Sequence, residues 1–337
     1  MTAIVGVTGR RMVRYVRHNP LLPVLIILLA VMAGLYDGFA TVANFRNIAV
    51  QASPLIIASV GMTYVIMTSG IDLSVGSILF LAAAIETSNA LADRNTAVVF
   101  VGVLASTTLM GAINGTAVAM TRVPALIVTL ATMQVFRGAG GHITRQQNIT
   151  VPADLRWIGT GTWLGIPAPV LVAVLVVAIG VAVLARTVFG RYLQAVGSSQ
   201  ASAEGAGLPV RLVLVGAYTV AGLLAGIAAL IQTARLGAVQ PSIGQGYELT
   251  VITAVVLGGT SLFGGRGSVG GSVLGALVLT TVQTGLVYSN ASPYIFDIIR
   301  GGVLLAAVLA AGTQWRTLLP ARHRRTREPH DAAPAAQ

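Results

Sequence analysis

Long apolar runs, separated by short polar or glycine-rich segments, occupy almost the whole of this 337-residue chain. A helix needs about 20 apolar residues to cross the hydrocarbon core of a bilayer. Its backbone groups must also be hydrogen-bonded internally, which favours helices over open sheets. The sequence therefore predicts an all-α, polytopic integral membrane protein with about ten transmembrane helices. The candidate spans are residues 20–36, 48–68, 73–91, 96–120, 124–140, 167–186, 211–232, 247–262, 268–288 and 294–312.

The composition supports a membrane protein, since 55% of the residues are hydrophobic and only 9% are charged. A soluble domain has about 25% charged residues. Two of the spans, 124–140 and 247–262, are short or glycine-rich, which predicts broken or re-entrant segments. We expect a membrane domain at residues 20–312, between a basic N-terminus at 1–19 and a basic, disordered tail at 313–337.

All 21 basic residues are arginines, and they are unevenly distributed over the predicted loops. Fourteen fall on the side that holds both termini, six fall on the opposite side, and Arg300 lies inside the last span. Because cytoplasmic loops carry the excess of basic residues, both termini are predicted to be cytoplasmic. This distribution accounts for the net charge of +11 better than nucleic-acid binding does.

Residues 61–76 interrupt two apolar runs with a polar, glycine-containing turn that carries Asp72. A charge at the bilayer centre costs about 2.5–3.5 kcal/mol, unless it lies inside protein or beside water. Asp72 or Ser74 can cap the helix that follows, so the turn is either a capped connection or part of a transport path. A similar Gly/Ser/Thr break at residues 259–268 makes the two segments candidates for an internal repeat.

Small residues are frequent in the spans, and six glycines form three Gly-x-x-x-Gly pairs. Such pairs let helix backbones approach closely. Packing within the chain is the favoured interpretation, and a dimer seam remains open for one pair. The pairs are Gly111 with Gly115, Gly222 with Gly226, and Gly271 with Gly275.

The sequence gives little support for catalysis or for a bound cofactor. It has no cysteine, no Walker A sequence, no HExxH motif and no His pair with metal-ligand spacing. We therefore predict a protein that is not an enzyme, with no metal site and no cofactor of its own. Membrane-embedded acids lie near the ends of the spans, which disfavours an ion-coupled carrier.

Several motifs in order carry a family resemblance over roughly residues 45–312. The most specific are the Gly-Ile-Asp-Leu-Ser-Val-Gly segment within 61–76 and the segments at 240–249, 254–262 and 264–267. The chain resembles the membrane permease subunit of bacterial sugar ABC importers of the ribose, xylose and rhamnose type. The resemblance implies multi-pass insertion in the inner membrane and import of a pentose or hexose.

The resemblance also implies partners and site residues. The partners are an ATP-binding subunit, a periplasmic or lipid-anchored sugar-binding protein, and a second permease chain that is identical or paralogous. ATP would be bound by the ATP-binding subunit and not by this chain. We expect translocation and gating to involve the helix breaks and polar residues beside them: Thr68, Ser69, Asp72, Ser74, Asn114, Gln134, Tyr247, Glu248 and Thr260.

Coupling to the ATPase is expected at a short helix near residues 200–206. Its candidate residues are Gly197, Gln200, Ala201, Glu204 and Gly207. The family more often has Asn-Glu-Ala-Ala near 199–202 and a basic residue near 204, so this chain departs from the pattern and points to a co-adapted ATPase. Thr250 also departs, because the family commonly has Asp there.

Three alternatives stay open at this stage. The same architecture can import a nucleoside, an amino acid or a furanosyl signal. The chain can also be a secondary carrier or channel, or a membrane scaffold without transport. Polar residues within the spans, among them Gln232 and Gln283, can line a path for a hydroxylated solute or bond between helices.

Overall fold

The structure is a computed structural model that describes residues 21–91, 94–121 and 123–318, with side chains described as far as residue 309. The predicted N-terminal segment 1–19 and most of the predicted tail lie outside the described residues. The last helix continues to Leu318, beyond the predicted boundary at residue 312.

The described residues form thirteen α-helices, numbered here in chain order. The first seven are α1 (Leu21–Leu35), α2 (Val42–Met67), α3 (Val75–Glu86), α4 (Thr96–Met120), α5 (Ala125–Thr144), α6 (Trp157–Thr160) and α7 (Ala168–Arg186). The remaining six are α8 (Val188–Ser198), α9 (Gln200–Gly205), α10 (Val210–Leu236), α11 (Tyr247–Leu257), α12 (Val269–Tyr288) and α13 (Pro293–Leu318).

Within residues 21–318, as far as they are described, extended structure is confined to four two-residue strands. The strand β1 (Ile149–Thr150) pairs antiparallel with β4 (Ala238–Val239), and β2 (Thr162–Trp163) pairs antiparallel with β3 (Ile166–Pro167). A 3₁₀ turn at Ala153–Leu155 lies between β1 and α6. The all-α prediction is confirmed, and each of the ten candidate spans contains one helix.

Five helices within the described residues are long and apolar enough to cross a membrane: α2, α4, α7, α10 and α12. The apolar helices α3 and α11 have only 12 and 11 residues. At 1.5 Å per residue they are about 16–18 Å long, which is too short for a full span. The predicted break in 247–262 is therefore present, whereas α5 runs without interruption through 124–140.

The long helices α2 and α10 form the centre of the bundle. In their most apolar windows, 89% and 67% of the residues are buried, against 28% for α4 and 22% for α7. The exposed side chains of α4 and α7 are largely Leu, Ile and Val. Because lipid tails are as apolar as these side chains, α4 and α7 suit the lipid-facing periphery.

The three glycine pairs serve packing inside this chain. A Cβ on Gly111 would lie 3.0 Å from the Cα of Gly222, so α4 and α10 touch through their backbones. Gly226 likewise faces Thr107, and Gly275 faces the end of α11 at Ala254. Small residues thus replace side-chain interdigitation at the closest helix crossings.

Candidate functional site: two helix breaks, a short helix and a polar cavity

The first break, residues 68–74, joins α2 to α3 through backbone that is not helical. Ser69 adopts a positive φ of 64°, which is uncommon for a residue with a side chain. The Thr68 hydroxyl bonds locally, to the carbonyl of Val65 at 2.7 Å. Thr129 of α5 bridges the break, since its hydroxyl donates to the carbonyl of Ile71 and accepts from the N–H of Leu73, both at 3.1 Å.

Asp72 holds the turn that precedes α3. Its Oδ1 accepts from the backbone N–H of Ser74 at 2.8 Å and from the Ser74 hydroxyl at 2.6 Å. The Asn114 amide on α4 donates to that hydroxyl at 2.7 Å. The predicted cap differs in detail, because Ser74 makes no side-chain cap to α3 and Asp72 instead bonds to the N-cap residue itself.

This cluster is completely buried, with no exposed surface on Asp72, Ser74 or Asn114. Tyr218 of α10 completes it, and a Cβ at Gly70 would lie 2.6 Å from the Tyr218 hydroxyl. Among the described residues, Asp72 Oδ2, Asn114 Oδ1 and the Tyr218 hydroxyl find no hydrogen-bond partner. Sequence reasoning named three members and missed Tyr218, which looks like an ordinary apolar-helix residue.

The second break, residues 258–268, joins α11 to α12 with two consecutive glycines of positive φ, Gly264 and Gly265. The Thr260 hydroxyl accepts from the N–H of Ser268 at 3.4 Å, and the N–H of Ser261 donates to the Arg266 carbonyl at 3.0 Å. These bonds close the break into a compact loop.

The two breaks meet each other and the end of α8 at one point. Ser69 Oγ lies 2.9 Å from the carbonyl oxygens of both Gly197 and Phe263. The N–H of Gly265 donates to the Met67 carbonyl at 3.0 Å. We call residues 67–69, 197 and 263–265 the junction. A Cβ on Gly197 would overlap the Met67 carbonyl oxygen and lie 2.6 Å from the Gly265 nitrogen, so the junction requires glycine there.

The short helix α9 follows the junction immediately. Ser199 ends α8 and caps α9, because its hydroxyl accepts from the N–H of Ser202 at 3.2 Å. Gly207, with φ of 77°, lies just beyond the end of the helix. Gln200, Ala201 and Glu204 are exposed. The predicted short helix is therefore present, with an exposed surface next to a buried attachment point.

A separate polar cavity of about 470 Å³ lies between α2, α10, α11, α12 and α13. Its polar lining includes Gln51, Gln232, Gln245, Gln283, Arg235 and Tyr247. Sequence reasoning named Gln232, Gln283 and Tyr247 and missed the others, which belong to the same cavity only through the fold. Gln134 is exposed on α5 and is not part of this lining.

The segment before α11, residues 240–246, is held by two arginines from other helices. Arg137 of α5 donates to the Ile243 carbonyl at 2.8 Å, and its guanidinium lies 4.7 Å from the centre of the Phe80 ring. Arg300 of α13 donates to the Gly246 carbonyl at 2.9 Å. Arg137 thus satisfies a carbonyl of non-helical backbone, and Arg300 adds a charged donor to a carbonyl that already accepts from the Thr250 N–H at 3.3 Å.

Arg300 also contacts Thr250, the residue at which the chain departs from the expected pattern. It donates to the Thr250 hydroxyl at 2.8 Å and pairs with Asp297 at 2.9 Å. Thr250 therefore makes a polar contact at the position where the resemblance led us to expect Asp. Glu248 is half-buried near Gly76, because a Cβ on Gly76 would overlap the Glu248 Oε2.

Comparison with known proteins decides the family. Residues 44–308 match the family described as "Branched-chain amino acid transport system / permease component". The chain belongs to this permease family. It is 40% identical to the ribose import permease protein of Escherichia coli strain K12 over 310 residues, which cover 90% of this chain and 97% of the relative.

Other relatives extend the range of sugars for which similar permeases are named. The ribose import permease protein of Haemophilus influenzae is 42% identical over 85% of this chain and 90% of its own length. The galactofuranose transporter permease protein of E. coli K12 is 34% identical over 80% of each chain. No solved structure matches this chain. The predicted resemblance to sugar-import permeases is confirmed.

Proposed function

We propose that this chain is the transmembrane subunit of an ATP-driven importer that moves a monosaccharide across the bacterial inner membrane. The observation that carries the proposal is the 40% identity to a ribose import permease over 90% of the chain. Permeases named for ribose and galactofuranose are both similar to this chain, so a pentose or hexose is the proposed substrate class.

The energy for uphill transport comes from a partner in this proposal, because the sequence has no Walker A motif. The exposed helix α9, with Gln200, Ala201 and Glu204, is the proposed docking element for the ATP-binding subunit. A helix lying in a groove of a partner is a common recognition mode. The acidic Glu204 predicts a partner groove with a basic residue opposite it.

The junction gives this docking a mechanical consequence. Gly197 lies two residues before Ser199, which caps α9, and it contacts Ser69 from the first break. Ser69 also contacts the Phe263 carbonyl of the second break. Movement of α9 by the ATPase would therefore act on both breaks at once. Packed segments of this kind switch between discrete arrangements rather than deforming continuously.

The breaks are proposed to gate the path. Thr68, Ser69, Asp72, Ser74 and Asn114 belong to the first break and its support, and Thr260 belongs to the second. The two short helices leave non-helical backbone at membrane depth, a feature that occurs where protein buries it or where it lines a cavity. Both termini are proposed to be cytoplasmic, which puts the junction and α9 on the cytoplasmic side.

The complete importer would contain this chain, a second permease chain, an ATP-binding subunit and a sugar-binding protein outside the membrane. Gentle purification of the tagged chain from its native membrane, followed by mass spectrometry, tests this composition. An ATPase with Walker A motifs and a sugar-binding protein should co-purify. Recovery of the chain alone, in a preparation that preserves other complexes, would favour a stand-alone carrier or channel.

The family description names branched-chain amino acids, which makes an amino acid the second candidate substrate. Competition for the binding protein distinguishes the two classes. We expect D-ribose or another monosaccharide to displace a labelled sugar from the binding protein, whereas L-leucine should not. Displacement by leucine alone would assign the importer to amino acids.

A further inference from the structure

The polar cavity combines side chains whose hydrogen-bonding capacity is not used up inside the protein. The Tyr247 hydroxyl and the Arg235 Nε are buried and have no hydrogen-bond partner within the described part of the chain. Both residues line the cavity. Buried polar atoms are normally paired, because an unpaired one costs about 1–3 kcal/mol. Both atoms are shielded from solvent, so the case for a polar occupant rests on the polar side chains that line the cavity.

The side-chain amides around the cavity define the chemistry of that occupant. Gln51 of α2, Gln232 of α10 and Gln283 of α12 approach it from three helices, and Gln245 approaches it from the segment before α11. Each amide offers two donors and an acceptor. Hydroxyl groups also donate and accept, so a ring of amides suits a molecule with several hydroxyls. Tyr247 and Phe296 add aromatic surface for the C–H faces of a sugar ring.

The cavity lining holds two arginines, Arg235 and Arg300, and one carboxylate among the described residues, so its charges disfavour an ammonium group. Asp297 is the carboxylate among the described lining residues, and Arg300 already pairs with it at 2.9 Å. Arg300 is further engaged by the Gly246 carbonyl and the Thr250 hydroxyl. An ammonium group in the cavity would therefore compete with Arg300 for Asp297. Sugar hydroxyls need no counter-charge.

The cavity is also large enough for a molecule of monosaccharide size. Its volume of about 470 Å³ falls within the range of about 300–1,000 Å³ typical of small-molecule sites. It lies at the N-terminal end of α11, and the second break lies at the C-terminal end of the same helix, about 16 Å away at 1.5 Å per residue. An occupant of the cavity would therefore contact α11, the helix that leads from the cavity to the second break and the junction.

We propose that this cavity is a weak binding site of the permease itself for a neutral, polyhydroxylated solute of monosaccharide size. The inference rests on the proposed import function and adds residues for the solute: Gln51, Gln232, Gln283, Arg235 and Tyr247. The affinity must be low, because a transport path has to release what it binds.

The chain contains no cysteine, which permits a direct test with single-cysteine variants. Gln283→Cys places a thiol in the cavity, and Thr162→Cys places one on the exposed strand β2 as the matched control. The full-length variants, in lipid nanodiscs, are labelled with a charged methanethiosulfonate reagent, with and without D-ribose. A ligand that shields the thiol slows labelling by 1 + [L]/Kd, or about fourfold at about three times Kd.

We expect D-ribose at millimolar concentration to slow labelling of Gln283→Cys and to leave Thr162→Cys unchanged, and L-leucine to slow neither. The proposal is overturned if Gln283→Cys does not react, if it reacts equally fast with D-ribose, or if only L-leucine protects it. Sugar uptake by the wild-type importer is measured in parallel. Uptake without protection rejects the cavity alone, whereas the absence of sugar uptake rejects the proposed function.

Discussion

The hydroxyl oxygen of Ser69 lies 2.9 Å from the carbonyl oxygen of Gly197, although 128 residues separate the two in the sequence. This contact joins the first helix break to the segment that ends in the exposed helix α9. The carbonyl of Phe263 approaches the same hydroxyl at 2.9 Å. One side chain thus connects both breaks with the proposed ATPase-docking helix.

Removal of the Ser69 hydroxyl should weaken coupling without preventing insertion. Ser69→Gly is the suitable change, because glycine accepts the positive φ of 64° without strain. A net hydrogen bond of about 1 kcal/mol corresponds to a factor of about 5 in an equilibrium. We expect sugar uptake per ATP hydrolysed to fall severalfold. Ser106→Ala, whose hydroxyl bonds only within α4, should behave as wild type.

Asp72 should act through its hydrogen bonds rather than through its charge. Asp72→Ala leaves the Ser74 N–H without its side-chain acceptor in a fully buried position, at a cost of about 1–3 kcal/mol. We expect it to cut uptake strongly while the protein still inserts in the membrane. Asp72→Asn retains an oxygen acceptor and should preserve most of the uptake. Equal loss in both variants would show that the charge itself is required, and full uptake by Asp72→Ala would reject the gating role.

The crossing of α4 and α10 should be intolerant of added volume. A Cβ on Gly222 would lie 2.8 Å from the Cα of Gly111, and overpacking of this kind costs about 1–3 kcal/mol. Gly222→Ala should lower the thermal unfolding midpoint in detergent. Gly138→Ala is the control, since it has no atom within 4 Å and lies exposed in a helix, where alanine gains up to about 1 kcal/mol. The opposite order of midpoints would contradict the packing account.

Thr250 should be replaceable by a residue that still accepts from Arg300. Thr250→Val removes the acceptor of a charged hydrogen bond worth about 1.5–3 kcal/mol. Thr250→Asp supplies a carboxylate acceptor for Arg300 at the same place. We therefore expect uptake to fall in Thr250→Val and to persist in Thr250→Asp. Similar uptake by both variants would show that the Arg300 contact is dispensable.

Hydrophobic runs predicted ten of the thirteen described helices but not the points at which they meet. These ten helices follow from hydropathy, although α3 and α11 are too short for a full span. The turn at Ser69 and Gly70 follows from polar and glycine residues within an apolar context. The short helix near Gln200 also has a sequence signal, since Gly207 and Pro209 mark its end, whereas its cap at Ser199 came from the structure. Each of these signals is local in the sequence.

The junction and the cavity depend on contacts between distant segments, which the sequence does not encode locally. Arg137 is one of the six arginines that the sequence places on the side opposite the termini, and it lies half-buried on α5, where it donates to the Ile243 carbonyl. Tyr218 gave no signal, because its hydroxyl matters only through the approach of Gly70. The contact of Gly197 with Met67 depends on how the end of α8 packs against the end of α2. The hydrophobic periodicity of the sequence does not predict this packing.

The most direct test of the account is ATP-driven uptake of D-ribose into proteoliposomes that contain this chain and its co-purifying ATPase and binding protein. The wild-type importer should accumulate the sugar only with ATP. Gly197→Ala, which forces a Cβ into the junction, should hydrolyse ATP with little uptake, whereas Gly34→Ala, with open space around it on α1, should transport normally. Uptake that is independent of ATP, or normal uptake by Gly197→Ala, would contradict the account.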